Sequence, residues 1–225
     1  MKRIITIILA VSFLSGCVEM GTKQDAFPSM YGPQKPVTIL VVPAINESTA
    51  ADAGDLLNVT VSQPFTNMGY YVVPMPIVAD IFRNEGIIEG TQIKGLPTEV
   101  FKKNFGADAV LFMTIESWEK NYAVIAGNVT VGIEYVLLST TSNEVLWSYE
   151  QVVVIDTSGG SGNIFADLIS TAIATGMTDY ASVARQVHAR AVTAMPFGKY
   201  HPRSGADGLD KSVVIAAKES ALAED

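Results

Sequence analysis

The chain has 225 residues, 48% of them hydrophobic and 17% charged, with a formal net charge of −8 at pH 7. That length suits one domain, with a tail, and the apolar share is ample for a core. The acidic balance argues against nucleic acid as a partner and against a general attraction to anionic membrane.

Residues 1–16 read as a signal peptide. Lys2 and Arg3 open it, Ile4 to Leu14 form an apolar stretch too short to span a bilayer, and Leu14-Ser15-Gly16 bring small residues up to Cys17. Cys17 is the only cysteine of the chain. Its place predicts a lipidated first residue of a mature protein of 225 − 16 = 209 residues. Fifteen basic residues less Lys2 and Arg3 leave 13 against 23 acidic ones, a mature balance of −10. With the thiol acylated, none remains to misoxidise in a disulfide-forming periplasm. Val18 stands where an Asp tends to retain bacterial lipoproteins in the inner membrane, which points to the outer membrane.

Residues 17–36 are polar and carry Gly21, Pro28, Gly32, Pro33 and Pro36, so they are expected to be a linker reaching about 60 Å when extended. A domain is expected over 37–202. Val37 to Val42 is a β-branched run suited to a strand buried on both faces. "AINEST" reads as a loop. Ala53, Leu56, Leu57, Thr60 and Val61 follow helical spacing, with Pro64 expected to kink or end the helix and Gly69 to supply its C-terminal turn. "YYVV" at 70–73 reads as a second strand. Helices follow over Pro76–Glu85 and Thr98–Phe105, and then a third buried strand over 109–115.

This β-α-β-α-α-β order favours parallel neighbours. The pattern then changes. Gly127-Asn128 carries a two-residue hairpin signal, Val129, Val131, Ile133, Tyr135 and Leu137 alternate with polar or small residues, and Val145, Trp147 and Tyr149 continue the alternation after a turn at Ser142-Asn143. The expected fold class is therefore α/β: a mixed sheet with an antiparallel meander, helices packed on it and a C-terminal amphipathic helix. That helix is read from Tyr180, Val183, Ala184, Val187 and Ala191. Residues 203–225 read as a flexible tail.

"TSGGSGN" at 157–163 lacks the lysine of a phosphate-binding loop, and Asn163 replaces the last glycine of a nucleophile elbow. His188, between Arg185 and Arg190, is expected on a solvated helix face. His201 sits in a Tyr-His-Pro turn, where it could cap a surface or bind a partner. Neither makes a metal motif, so no metal and no cofactor are expected beyond the covalent lipid. Glu116 and Glu119 lie at a strand end, and Asp108 is expected to serve the turn into the third strand. The apolar segment carrying Ile164, Phe165, Leu168, Ile169, Ile173 and Met177 covers more than one helical stripe. It reads either as a core helix or as an interface with another subunit or envelope protein.

In their order, "LSGC", "ILVVPAINES", "MGYYVVP", "NEGI", "FGADAVLF", "EVLW", the late Gly-rich loop and "PFGKYHP" resemble a family of bacterial lipoproteins of unknown function that includes a meningococcal vaccine-candidate antigen. The tail after Pro202 departs from it. The resemblance implies a periplasmic α/β domain similar to the N-terminal domain of TolB and to the curli-secretion lipoprotein. No catalytic residues carry over with it; only Cys17 does. The reading is thus a non-enzymatic interaction or assembly module of an envelope transport or secretion complex. It is expected on the periplasmic side of the outer membrane, self-associating or bound to other envelope lipoproteins. The alternative is an envelope hydrolase or small-ligand-binding protein.

Overall fold

The computed structural model describes residues 21–122, 127–156 and 180–212. Cys17 and the apolar segment from Ile164 to Met177 lie outside the described residues.

β1 (Thr38–Val41) is the hinge of the two layers. Ile39 and Val41 point into one core, Leu40 and Val42 into the other, and all four are fully buried. Such a strand has no polar face because neither side meets water. It pairs in parallel with β3 (Tyr71–Val72) and with the start of β4 (Ala109–Tyr122). β5 (Gly127–Ser139) and β6 (Val145–Asp156) extend the sheet antiparallel, in the order β3-β1-β4-β5-β6. The α/β class, the parallel half and the meander are as the sequence pattern predicts.

Two elements differ in detail. "AINEST" contains a further strand, β2 (Ile45–Asn46), paired in parallel with β4 at Thr114 and Ile115. Pro43 interrupts what would otherwise be one strand, and the Ala44 N–H turns aside to the Asn58 side chain at 3.1 Å. Gly127 and Asn128 are not the turn of the first hairpin. They pair with Tyr122 and Asn121, so the connection falls on 123–126, outside the described residues.

One face of the sheet carries α2 (Ala53–Thr60), α3 (Ser62–Asn67) and α6 (Tyr180–Thr193). The helical run breaks at Val61, and Pro64 falls in the first turn of α3, where an N–H has no intrahelical partner to lose. Beneath them Phe65 meets Trp147 edge-on at 6.3 Å, and Trp147 stacks on Tyr149 at 6.1 Å. Each such buried side chain contributes about 1.5–3 kcal/mol. α4 (Met75–Asn84) and α5 (Glu99–Phe105) cover the other face, but only around β1 and the start of β4, through Val78, Phe82, Phe101 and Val110. Beyond Phe112 no described helix covers that face, and on β6 Val152 and Val154 are 67% and 55% exposed.

The expected linker and tail are shorter than drawn. α1 (Lys23–Ala26) is closed by a capping box between Thr22 and Asp25, a single 3₁₀ turn follows at Pro28–Met30, and Met30 is buried in the main core. At the C-terminal end of the described residues, Asp207 and Ser212 are almost completely buried. Residues 21–36 and 203–212 therefore belong to the folded body.

Candidate functional site

The two ends of the described chain are tied into one knot. Backbone N–H groups of Lys23 and Gln24 donate to the carbonyls of Asp210 and Gly208 at 2.9 and 3.0 Å. The Ser212 N–H donates to Gly21 at 2.9 Å, and Thr22 pairs antiparallel with Lys211. Lys23, 6% exposed, reaches inward: its Nζ donates to the Met195 carbonyl at 2.9 Å and stands 3.8 Å from the Asp207 carboxylate. The Phe197 ring lies 5.4 Å from the same ammonium. Asp207 also accepts the Phe197 N–H at 2.9 Å, which holds the Pro196–Gly198 turn in place. Burial pulls the Lys23 ammonium below its ordinary value; the Asp207 and Asp210 charges oppose this and Arg203 adds to it. Burial first, and the Asp207 carboxylate second, push the Tyr31 hydroxyl far above its ordinary value. Tyr70, also raised by burial, donates to the Pro196 carbonyl at 2.7 Å.

His201 takes part in this knot. Its ring stacks on Phe197 at 3.7 Å, its Nδ1 accepts the Arg203 N–H at 3.1 Å, and its backbone closes over Gly69. Gly69 has φ +87°, and a Cβ there would run into the His201 backbone nitrogen. The turn "FGKYHP" thus packs against the end of α3, and His201 serves that packing.

His188 corrects the expectation of a solvated face. It is fully buried under α2, between the Tyr135 hydroxyl at 2.8 Å from Nδ1 and the Leu57 carbonyl at 3.1 Å from Nε2. A carbonyl only accepts, so Nε2 carries the proton and Nδ1 accepts from Tyr135. Burial lowers the imidazole pKa to about 4, against a smaller opposing effect of the Leu57 hydrogen bond. The arrangement ties α2, α6 and β5 together. A signal for it exists in the sequence: His188 stands four residues after Ala184 and three before Ala191, on the apolar stripe.

Asp108 does more than serve a turn. Its Oδ2 accepts the N–H groups of Val37 and Thr38 at 3.1 and 3.0 Å, and its Oδ1 accepts Lys102 Nζ at 2.7 Å. Burial alone would raise its pKa. The Lys102 hydrogen bond, the two backbone donors and the Lys102 charge outweigh that and hold it below the ordinary value.

Glu116 lies at a bulge of β4 on the sheet face that no described helix covers, and Glu119 is exposed farther along. Glu134 and Glu150 stand directly opposite one another there. Burial, then Glu150, then Glu116 raise the Glu134 pKa. A like-charged cross-strand pair destabilises the sheet, so this face is a tolerated electrostatic cost. A shallow groove of about 150 Å³ lies between Ala26–Ser29 and Glu144–Ser148. Among the described residues, no cluster of His, Cys, Asp and Glu has the makeup to hold a metal ion. No described helix is long and apolar enough to cross a membrane.

The family model described as "Putative lipoprotein GNA1162-like" matches residues 28–199. The chain belongs to this family. It is 28% identical over 182 residues to "Putative lipoprotein NMB1124/NMB1162" of Neisseria meningitidis serogroup B, covering 80% of this chain and 84% of the relative. Its fold is similar to the crystal structure of lipoprotein GNA1162 from the same species, with a TM-score of 0.53 and 26% identity over 62% of this chain and 97% of the other. A more distant likeness, with a TM-score of 0.44 and 17% identity, links 70% of this chain to 85% of the PelC chain from a Paraburkholderia phytofirmans dodecamer. The resemblance read from the sequence motifs is thereby confirmed at the level of the family.

Proposed function

We propose that the protein is a lipid-anchored interaction module of the bacterial envelope, non-enzymatic, held through Cys17 on the periplasmic side of the outer membrane. The observation that carries this reading is membership of a lipoprotein family by a chain whose residues 14–17 read LSGC. The disposition of the polar groups agrees with it. His188, Asp207 and Asp108 are each engaged in joining elements of the fold, and each accepts or donates to backbone or to a buried side chain.

Docking then falls to the apolar segment carrying Ile164, Phe165, Leu168, Ile169, Ile173 and Met177. Its flanks, Asp156 at the end of β6 and Tyr180 at the start of α6, are both at the hairpin end of the meander: Asp156 pairs with Asn128, and Tyr180 lies 3.9 Å under Lys120 Nζ. Partners are further copies of this chain or other envelope lipoproteins. The test is chemical crosslinking in intact cells followed by recovery through a C-terminal tag. Defined crosslinked species that disappear in Phe165→Asp support the reading. A crosslinking pattern unchanged by Phe165→Asp, with only monomer recovered from both, removes it.

A further inference from the structure

The short tether has a consequence for how the domain sits. With residues 21–36 free, the body would hang well clear of the bilayer. In the structure Gly21 is already fastened to Ser212, and Lys23 is locked against Asp207 and Met195. Only residues 18–20 separate Cys17 from the first fastened residue, a reach of about 14 Å at full extension. That is about twice the roughly 5–8 Å thickness of one headgroup region, so the knot is held close to the bilayer surface.

We infer that the terminal knot is a membrane-apposed face, resting on lipid headgroups through Lys199, Arg203 and Lys211 with Tyr200 and Leu209 at the acyl boundary. The inference rests on the lipidation of Cys17 proposed above. A second observation supports it independently: the charge of the chain is unevenly placed. Residues 37–194 carry seven basic against sixteen acidic residues, whereas 21–36 and 195–212 together carry five basic against three acidic. Asp207 is buried together with Lys23 and Asp210 is paired with Arg203 at 3.0 Å, which leaves Lys35, Lys199 and Lys211 against Asp25, with Glu19 as one further acid between Cys17 and Gly21. Lys199 and Lys211 are exposed. An excess of basic residues next to a lipid anchor suits the anionic headgroups of the leaflet. Beside them stand two of the most exposed large side chains of the domain, Leu209 at 85% and Tyr200 at 65%. A tyrosine with a wet hydroxyl and an apolar ring suits the headgroup level, and an apolar side chain next to it gains by leaving water.

The geometry fixes an orientation. The knot adjoins the end of the sheet where β1 begins, through Lys35 Nζ donating to Ser204 Oγ at 3.1 Å and the following Val37. Val154 sits toward the other end: across β5 it faces Thr130, which faces Glu119, ten residues along β4 from Ala109. At about 3.3 Å per residue that separation is roughly 33 Å. The hairpin end, with the flanks of the proposed docking segment, therefore points away from the membrane.

The acylated Cys17 leaves no free thiol, so a new cysteine can be labelled alone. Lipidated full chains bearing Leu209→Cys or Val154→Cys, each coupled to a donor dye, are reconstituted in vesicles of phosphatidylethanolamine and phosphatidylglycerol with an acceptor lipid. Energy transfer several-fold higher from position 209 than from 154 is expected, falling when Lys199→Glu and Lys211→Glu are added. Equal transfer from both positions in protein shown by mass to be acylated overturns this inference and leaves the anchoring reading standing. Protein without acyl mass on Cys17 overturns both.

Discussion

Acidification from pH 7 to 4.5 should cost the fold about 2.5 kcal/mol through one side chain, His188. The folded-state pKa is about 4 against an ordinary 6.5, because the ring is fully buried. Between those values the unfolded chain binds a proton that the folded chain does not. Stability from this group is therefore full above pH 6.5 and is lost as pH falls toward 4. The complete shift corresponds to about 3.4 kcal/mol at 1.36 kcal/mol per unit, of which about 2.5 is reached by pH 4.5. The cause is burial: an imidazolium at this position would be cut off from water, and the Leu57 hydrogen bond offsets only part of that penalty. Urea unfolding at a series of pH values reads the slope, compared between the wild type and His188→Leu. Glu134, raised by burial and its acidic neighbours, acts with the opposite sign but is common to both proteins and cancels. The substitution itself should cost about 1–3 kcal/mol at pH 7, since it leaves the Tyr135 hydroxyl without its partner. A slope between pH 6.5 and 4.5 that is the same in His188→Leu and wild type would refute the reasoning.

Lys23→Met should destabilise by about 3 kcal/mol, because Asp207 would remain buried without its cation, and hydrogen exchange at Lys23 and Gln24 should rise as the knot loosens. Asp108→Ala should cost about 1–2 kcal/mol in the same unfolding assay, by freeing the Val37 and Thr38 N–H groups. Gly69→Ala should cost at least about 1 kcal/mol, from its left-handed backbone and from the collision with His201; thermal unfolding measures it.

Much of the sheet was legible because its signals are local. β1 announces itself by a run of β-branched residues, and β5 by strict alternation from Val129 to Leu137, all five of whose odd-numbered residues are buried. β2 was not legible: two residues after a proline carry no periodicity, and only the Thr114–Ile115 stretch of β4 makes them a strand. His188 was misplaced because its arginine neighbours in sequence outweighed its position on the helical stripe. The terminal knot escaped for a different reason. Pro, Gly and polar residues look the same in a linker and in a segment strapped down by backbone hydrogen bonds, and the partner of Lys23 is 184 residues away at Asp207. The one local clue was Thr22 followed three residues later by Asp25, which closes the cap of α1.

The central claim is that acyl chains on Cys17 hold this domain in the envelope. Metabolic labelling with radioactive palmitate, followed by membrane fractionation, tests it most directly. The wild type should carry label and sediment with outer membranes, and Cys17→Ala should carry none and appear in the soluble periplasmic fraction. A wild type without label, or a Cys17→Ala protein that still fractionates with outer membranes, would contradict the account.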